Sequence, residues 1–158
     1  MKPSAIVSSF VLLASCFGCA SGGGDRPAMW SDSIGHDRDL IYEHCILVME
    51  EQGFEIDRDR SIRGAGTIVT RWNVQLAPFR YQGIRRRAHL LVERAPALRG
   101  ADPKREQPYR VGVRVEIERN KTIQDPMNPA LAEWEPGEHD STHEERMLFW
   151  LRQAFKDW

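Results

Sequence analysis

Tyr109-Arg110-Val111-Gly112-Val113-Arg114-Val115-Glu116-Ile117-Glu118 is the stretch on which the fold turns. Tyr109, Val111, Val113, Val115 and Ile117 share one parity, and Arg110, Gly112, Arg114, Glu116 and Glu118 share the other. Successive strand side chains leave opposite faces, so this alternation predicts a strand with one dry and one wet face. Such a strand belongs in an antiparallel sheet. Slipping it by one residue would bury arginines and glutamates, which pins the register.

The flanking sequence repeats the theme. Ile84–Arg94 (IRRRAHLLVER) predicts a second long strand. Ile84, Arg86, Ala88, Leu90 and Val92 lie on one face, and Arg85, Arg87, His89, Leu91 and Glu93 on the other. Arg86 breaks the apolar row. Residues 95–108 carry Pro96, Gly100, Pro103 and Pro108 and predict a loop between these strands. Upstream, residues 67–74 (TIVTRWNV) are rich in β-branched side chains, with Ile68, Trp72 and Val74 in phase. Residues 54–59 (FEIDRD) alternate as a short strand, and residues 60–66 turn the chain.

Two helices frame these strands. Over residues 37–52, Leu40, Ile41, Cys45, Leu47 and Val48 recur at helical spacing, with His44 and Met49 beside them. Asp37 can cap the start, and Gly53 followed by Phe54 fits a glycine-terminated end. Ser141-Thr142-His143-Glu144 reads as a capping box before a helix whose stripe is Met147, Leu148, Leu151, Phe155 and Trp158. Residues 119–140 hold Pro126, Pro129 and Pro136 and predict a long loop, with Met127, Leu131 and Trp134 to pack it down. The expected fold is α+β: a two-layer sandwich with a four-stranded, mainly antiparallel sheet and N- and C-terminal helices on one face.

Bulk properties bound the partners. The chain has 158 residues, 22 basic and 23 acidic, for a formal net charge of -1. With no basic excess, nucleic acid is not an expected partner. The composition, 41% hydrophobic and 28% charged, is that of a globular domain. Three cysteines are too few for a disulfide framework. Cys45 falls on the first helix as a small buried residue, with a bridge to Cys19 as the alternative.

The N-terminus carries a different signal. Lys2 precedes an apolar run, Ala5 to Ala14, and Leu13-Ala14-Ser15-Cys16 closes it. The run is too short to cross a hydrocarbon core, which takes about 20 helical residues. It has the length of a secretory apolar region. With its cysteine, the segment resembles a bacterial lipoprotein signal. That resemblance implies a signal peptide over 1–15, acylation of Cys16 and a lipid anchor. Cys19 is the rival acceptor, and a signal peptide cut later or an uncleaved signal anchor is the alternative. Residues 16–27, with Gly22-Gly23-Gly24, then form a flexible tether before a single domain over 28–158. Localisation is expected in the cell envelope, at the outer membrane facing the periplasm in a Gram-negative source.

Within the domain, the run from Leu40 through Trp72 is a helix ending in Gly53-Phe54-Glu55-Ile56-Asp57-Arg58-Asp59. After a turn, Gly66-Thr67-Ile68-Val69-Thr70-Arg71-Trp72 opens a strand. This unit resembles the helix-grip unit of the C lipoprotein of the outer-membrane β-barrel assembly machinery. The resemblance implies an envelope-complex partner and supplies no catalytic residues.

Side-chain clusters give the remaining candidates. Arg71, Arg85, Arg87, His89, Arg110 and Arg114 fall on the wet face as an anion-binding or partner face, with Glu93, Glu116 and Glu118 able to pair across strands. Trp30 and Trp134 lie in segments without periodicity and are candidate partner anchors. His139 and His143, four apart and flanked by carboxylates, are the candidate zinc ligands, against a purely polar helix cap. No nucleophile elbow, phosphate-binding glycine loop or dinucleotide fingerprint occurs. The expectation is a non-enzymatic envelope lipoprotein with no cofactor. It is held by its lipid anchor and acts as an interaction or accessory subunit. A small-ligand or anion-binding module using the cleft between helix and sheet is the alternative, and a metal-dependent hydrolase comes third.

Overall fold

The computed structural model describes residues 27–76, 83–96, 108–122, 128 and 130–156. The lipoprotein-like signal, Cys16, Cys19, Met127 and Trp158 lie outside them. The fold is α+β, and the described residues form a six-stranded antiparallel sheet and two helices. In chain order the elements are β1 (Met29–Trp30), α1 (Arg38–Glu51), a 3-10 turn (Arg63–Ala65), β2 (Thr67–Val69) and β3 (Asn73–Gln75). Then come β4 (Ile84–Arg94), β5 (Tyr109–Asn120), β6 (Trp134–Pro136) and α2 (Ser141–Lys156).

The long hairpin β4–β5 forms as its alternation predicts, from Ile84 opposite Arg119 to Arg94 opposite Tyr109. Val111, Val113 and Val115 are fully buried on its inner face beside Ala88, Leu90 and Val92. Each buried valine or leucine contributes on the order of 1.5–3 kcal/mol on leaving water. Helices α1 and α2 close the same core with Ile41, Cys45, Val48, Met49, Met147 and Leu151.

Four strands and a leading helix are not the whole sheet. A short strand, β1, precedes α1 and pairs with β5, Met29 opposite Val113 and Trp30 opposite Gly112. β6 adds three residues to the same edge of β5 from within the expected 119–140 loop. Two- and three-residue strands are too short to show a period of two, so tertiary pairing alone defines them. Pro136 is tolerated because β6 is an edge strand.

The strand expected over 54–59 reduces to one bridge, Ile56 to Thr70. The expected strand over 67–74 is divided. Val69 lies opposite His89 and Asn73 opposite Arg86, so four steps on one strand match three on the other. That extra residue is a β-bulge, which reverses the facing of everything after it. Thr70 sits in the break, and its Oγ1 accepts the Ala88 amide hydrogen at 2.9 Å. Ile68 is therefore buried while Val74 is exposed. Trp72, which the sequence places in phase with Ile68, lies instead against arginines of the outer face.

α1 begins as expected, with the Asp37 side chain accepting from the Asp39 amide, and Gly53 takes a left-handed conformation after it. Its buried side is Ile41, Tyr42, Cys45, Val48 and Met49; Leu40 and Leu47 face solvent. Cys45 is a free, buried thiol whose acidity burial suppresses.

Candidate functional site: a tryptophan-lined outer sheet face

The polar parity of β4 and β5 builds the outer face. Register sets Arg85 opposite Glu118, Arg87 opposite Glu116, His89 opposite Arg114, and Glu93 opposite Arg110. The unlike charges meet. Arg85 Nε donates to Glu118 at 2.7 Å, Arg87 Nε to Glu116 at 3.0 Å, and Arg110 Nε to Glu93 at 3.0 Å. Arg71 stands apart, ion-paired with Glu55 at 2.8 Å.

Three tryptophans cover this ladder. Arg85 lies between Trp72 and Trp134, its guanidinium carbon 4.4 and 4.7 Å from their ring centres. Arg87 also stacks on Trp72, at 4.5 Å. At the other end Arg110 lies 3.8 Å from the Trp30 ring centre. Such stacking contributes about 0.5–1 kcal/mol where exposed and more where dry. Trp30 and Trp134, which carry no sequence periodicity, are thus held on one face with Trp72. The sequence signal for Trp72 was its parity, which the bulge inverts.

Gly112 explains how Trp30 reaches the sheet. An added Cβ there would stand 2.5 Å from the Pro27 ring and 2.8 Å from Trp30. Bare backbone lets the entering chain lie flat on β5. The Ala28 amide hydrogen bonds to Val113 O at 3.0 Å, and the Ser31 amide to Val111 O at 2.8 Å.

The face is charged but largely dry. Side chains of Arg87 and Glu118 are 18% exposed and His89 9%, so their pairing is little screened. His89 Nε2 lies 3.3 Å from Glu116 Oε2, long for a hydrogen bond. The His89 ring beside it, with Arg87, holds the Glu116 carboxyl down at about 2 against the opposing effect of burial. Arg85, Arg87 and Arg110 are therefore compensated within the sheet and do not present a bare cationic field.

The two histidines are not brought to a common centre. His139 Nδ1 lies 3.0 Å from Glu144, whereas His143 Nδ1 lies 3.0 Å from Asp140. Among the described residues, no group of three or more metal-ligating side chains is placed to hold an ion. Ser141 is not the cap either: Asp140 Oδ1 accepts the His143 amide hydrogen at 3.1 Å. Glu144, the expected capping-box partner, is fully buried, and its Oε1 accepts from the Val115 amide.

Comparison with protein-family models and with curated proteins gives no match.

Proposed function

We propose that the chain is a lipid-anchored envelope lipoprotein whose domain acts as a non-enzymatic accessory subunit, binding another envelope protein through the outer sheet face. The supporting observation is where the tether joins the fold. Pro27 and Trp30 lie on Gly112, beside Arg110 and at one end of the tryptophan-lined ladder. A lipid on Cys16 is eleven residue steps from Pro27, with ten residues between them. At roughly 3.3–3.6 Å per residue this limits the separation to about 40 Å in any conformation. The anchor keeps the ladder close to the bilayer surface.

The chemistry of the face suits a protein partner. Interface cores favour tryptophan and arginine and disfavour unpaired charge. Here the charges are already paired, so docking does not strand them. Acylation with more than one chain gives lasting attachment, at about 0.8 kcal/mol per buried methylene.

A photo-cross-linking residue at position 134, in native membranes, tests this reading. A discrete cross-linked product in the membrane fraction is expected, with release to the soluble fraction on Cys16→Ser. An unmodified Cys16 by intact mass, together with no product from position 134, overturns it.

A further inference from the structure

Arg86 stands where the core belongs. It shares the inner row of β4 with Ala88, Leu90 and Val92, yet carries a guanidinium whose side chain is only 14% exposed. Placing a cation there costs desolvation that a single ion pair does not reliably return. Its Nε donates to Asp140 Oδ2 at 2.7 Å and its Nη1 to Gln75 Oε1 at 3.2 Å. Nη2 makes no hydrogen bond among the described residues.

A cleft of about 340 Å³ opens beside that guanidinium, between the C-terminal end of α1, β3 and α2. This lies at the small end of the range for ligand sites. From α2, His143, Arg146 and Trp150 line it; their spacing of three and four residues puts them on one helix face. Among the described residues, Arg146 has no ion-pair partner and no carboxylate lines the cleft. Asp140 sits behind it as a positioning residue, bonded to both Arg86 and His143. Burial raises its carboxyl, but the bonds from Arg86 and His143 prevail and keep it below the usual range.

We propose that this cleft binds a small anionic sugar of the hexuronate class. Arg86 and Arg146 supply charged donors for its carboxylate, the group that guanidinium geometry matches. The amides of Gln52, Asn73 and Gln75 both donate and accept, as ring hydroxyls require. Phe54 and Trp150 offer apolar walls for the faces of the sugar ring. The bulge serves the same site, since the reversal after Thr70 is what turns Asn73 inward opposite Arg86. This binding stands apart from the anchor and from the outer face.

Titration of the full chain in detergent with D-glucuronate, D-glucose and inorganic phosphate, followed by amide NMR shifts and calorimetry, decides it. Saturable glucuronate binding is expected to shift Asn73, Gln75 and residues 143–150, with glucose at least roughly ten-fold weaker, as loss of a charge-assisted pair implies. Phosphate is expected to bind more weakly than glucuronate, having no ring to contact Phe54 and Trp150. Exposed Arg146→Ala keeps the fold and is expected to weaken glucuronate about ten-fold or more. Glucose binding as well as glucuronate, phosphate matching it, affinity unchanged in Arg146→Ala, or no saturable glucuronate binding at millimolar concentration each overturns the proposal.

Discussion

Glu144 Oε1 accepts the amide hydrogen of Val115 at 2.9 Å, so a helix side chain takes the place of a neighbouring strand. β5 is paired on this edge by β1 at residues 112–113 and by β6 at residues 118–120. Between them the Asp140 amide donates to Val115 O at 2.8 Å and the Gly137 amide to Ile117 O at 2.8 Å. The interrupted edge is thereby closed, as a buried backbone requires.

Replacing Glu144 with Ala leaves the Val115 N–H buried and unpaired, a loss of about 1–3 kcal/mol. Glu144→Gln keeps the accepting Oε1 and is expected to lose clearly less. Urea unfolding of the two variants checks the ordering; equal losses would show that the carboxylate charge, not the acceptor, matters at this position.

The outer face makes stability depend on pH with a definite sign. Glu116 titrates at about 2 in the fold against an ordinary 4.5. A carboxyl lowered in the folded state stabilises fully above its unfolded value and loses that contribution as pH falls toward the folded one. Asp140 shifts in the same direction. The urea midpoint is expected to fall between pH of about 4.5 and 2, and Glu116→Gln, which removes the titrating group, to flatten that slope. An unchanged slope in the variant would separate Glu116 from acid sensitivity.

Gly112→Ala places a methyl group where the Pro27 ring and Trp30 now lie, within 2.5–2.8 Å. Overpacking of this kind costs about 1–3 kcal/mol. Because β1 is only two residues long, the strain is expected to lift it from β5 rather than distort the hairpin. Increased quenching of Trp30 fluorescence by acrylamide, seen against a Trp30→Phe control, together with a lower melting temperature, is the expected result.

The hairpin was legible because its signal is local: alternation over more than ten residues determines strand, facing and register together. The cross-strand pairing of Arg87 with Glu116 follows from that register. The facing of Trp72 was hidden, because one inserted residue near Thr70 inverts every later position and leaves no mark on composition. β1 and β6 were hidden for another reason, since strands of two or three residues are defined by the neighbour they pair with. Arg86 was visible as a break in an apolar row, but its partner Asp140 lies 54 residues away and carries no pattern pointing back.

α1 shows how a correct helix can carry the wrong phase, and a pair of substitutions tests it. Leu47 and Met49 are both large, apolar and central in the helix. Leu47 is 52% exposed and Met49 fully buried. Had Leu47 belonged to the core stripe, a glutamate there would place an unpaired charge among Cys45, Val48 and the sheet. On the observed phase Leu47→Glu meets water, and its effect is expected to stay within about 0.5 kcal/mol, as for other surface exchanges. Met49→Glu buries a charge within the hydrophobic core cluster and is expected to abolish cooperative unfolding. Thermal melts followed by far-UV circular dichroism distinguish the two; similar losses for both would return Leu47 to the core.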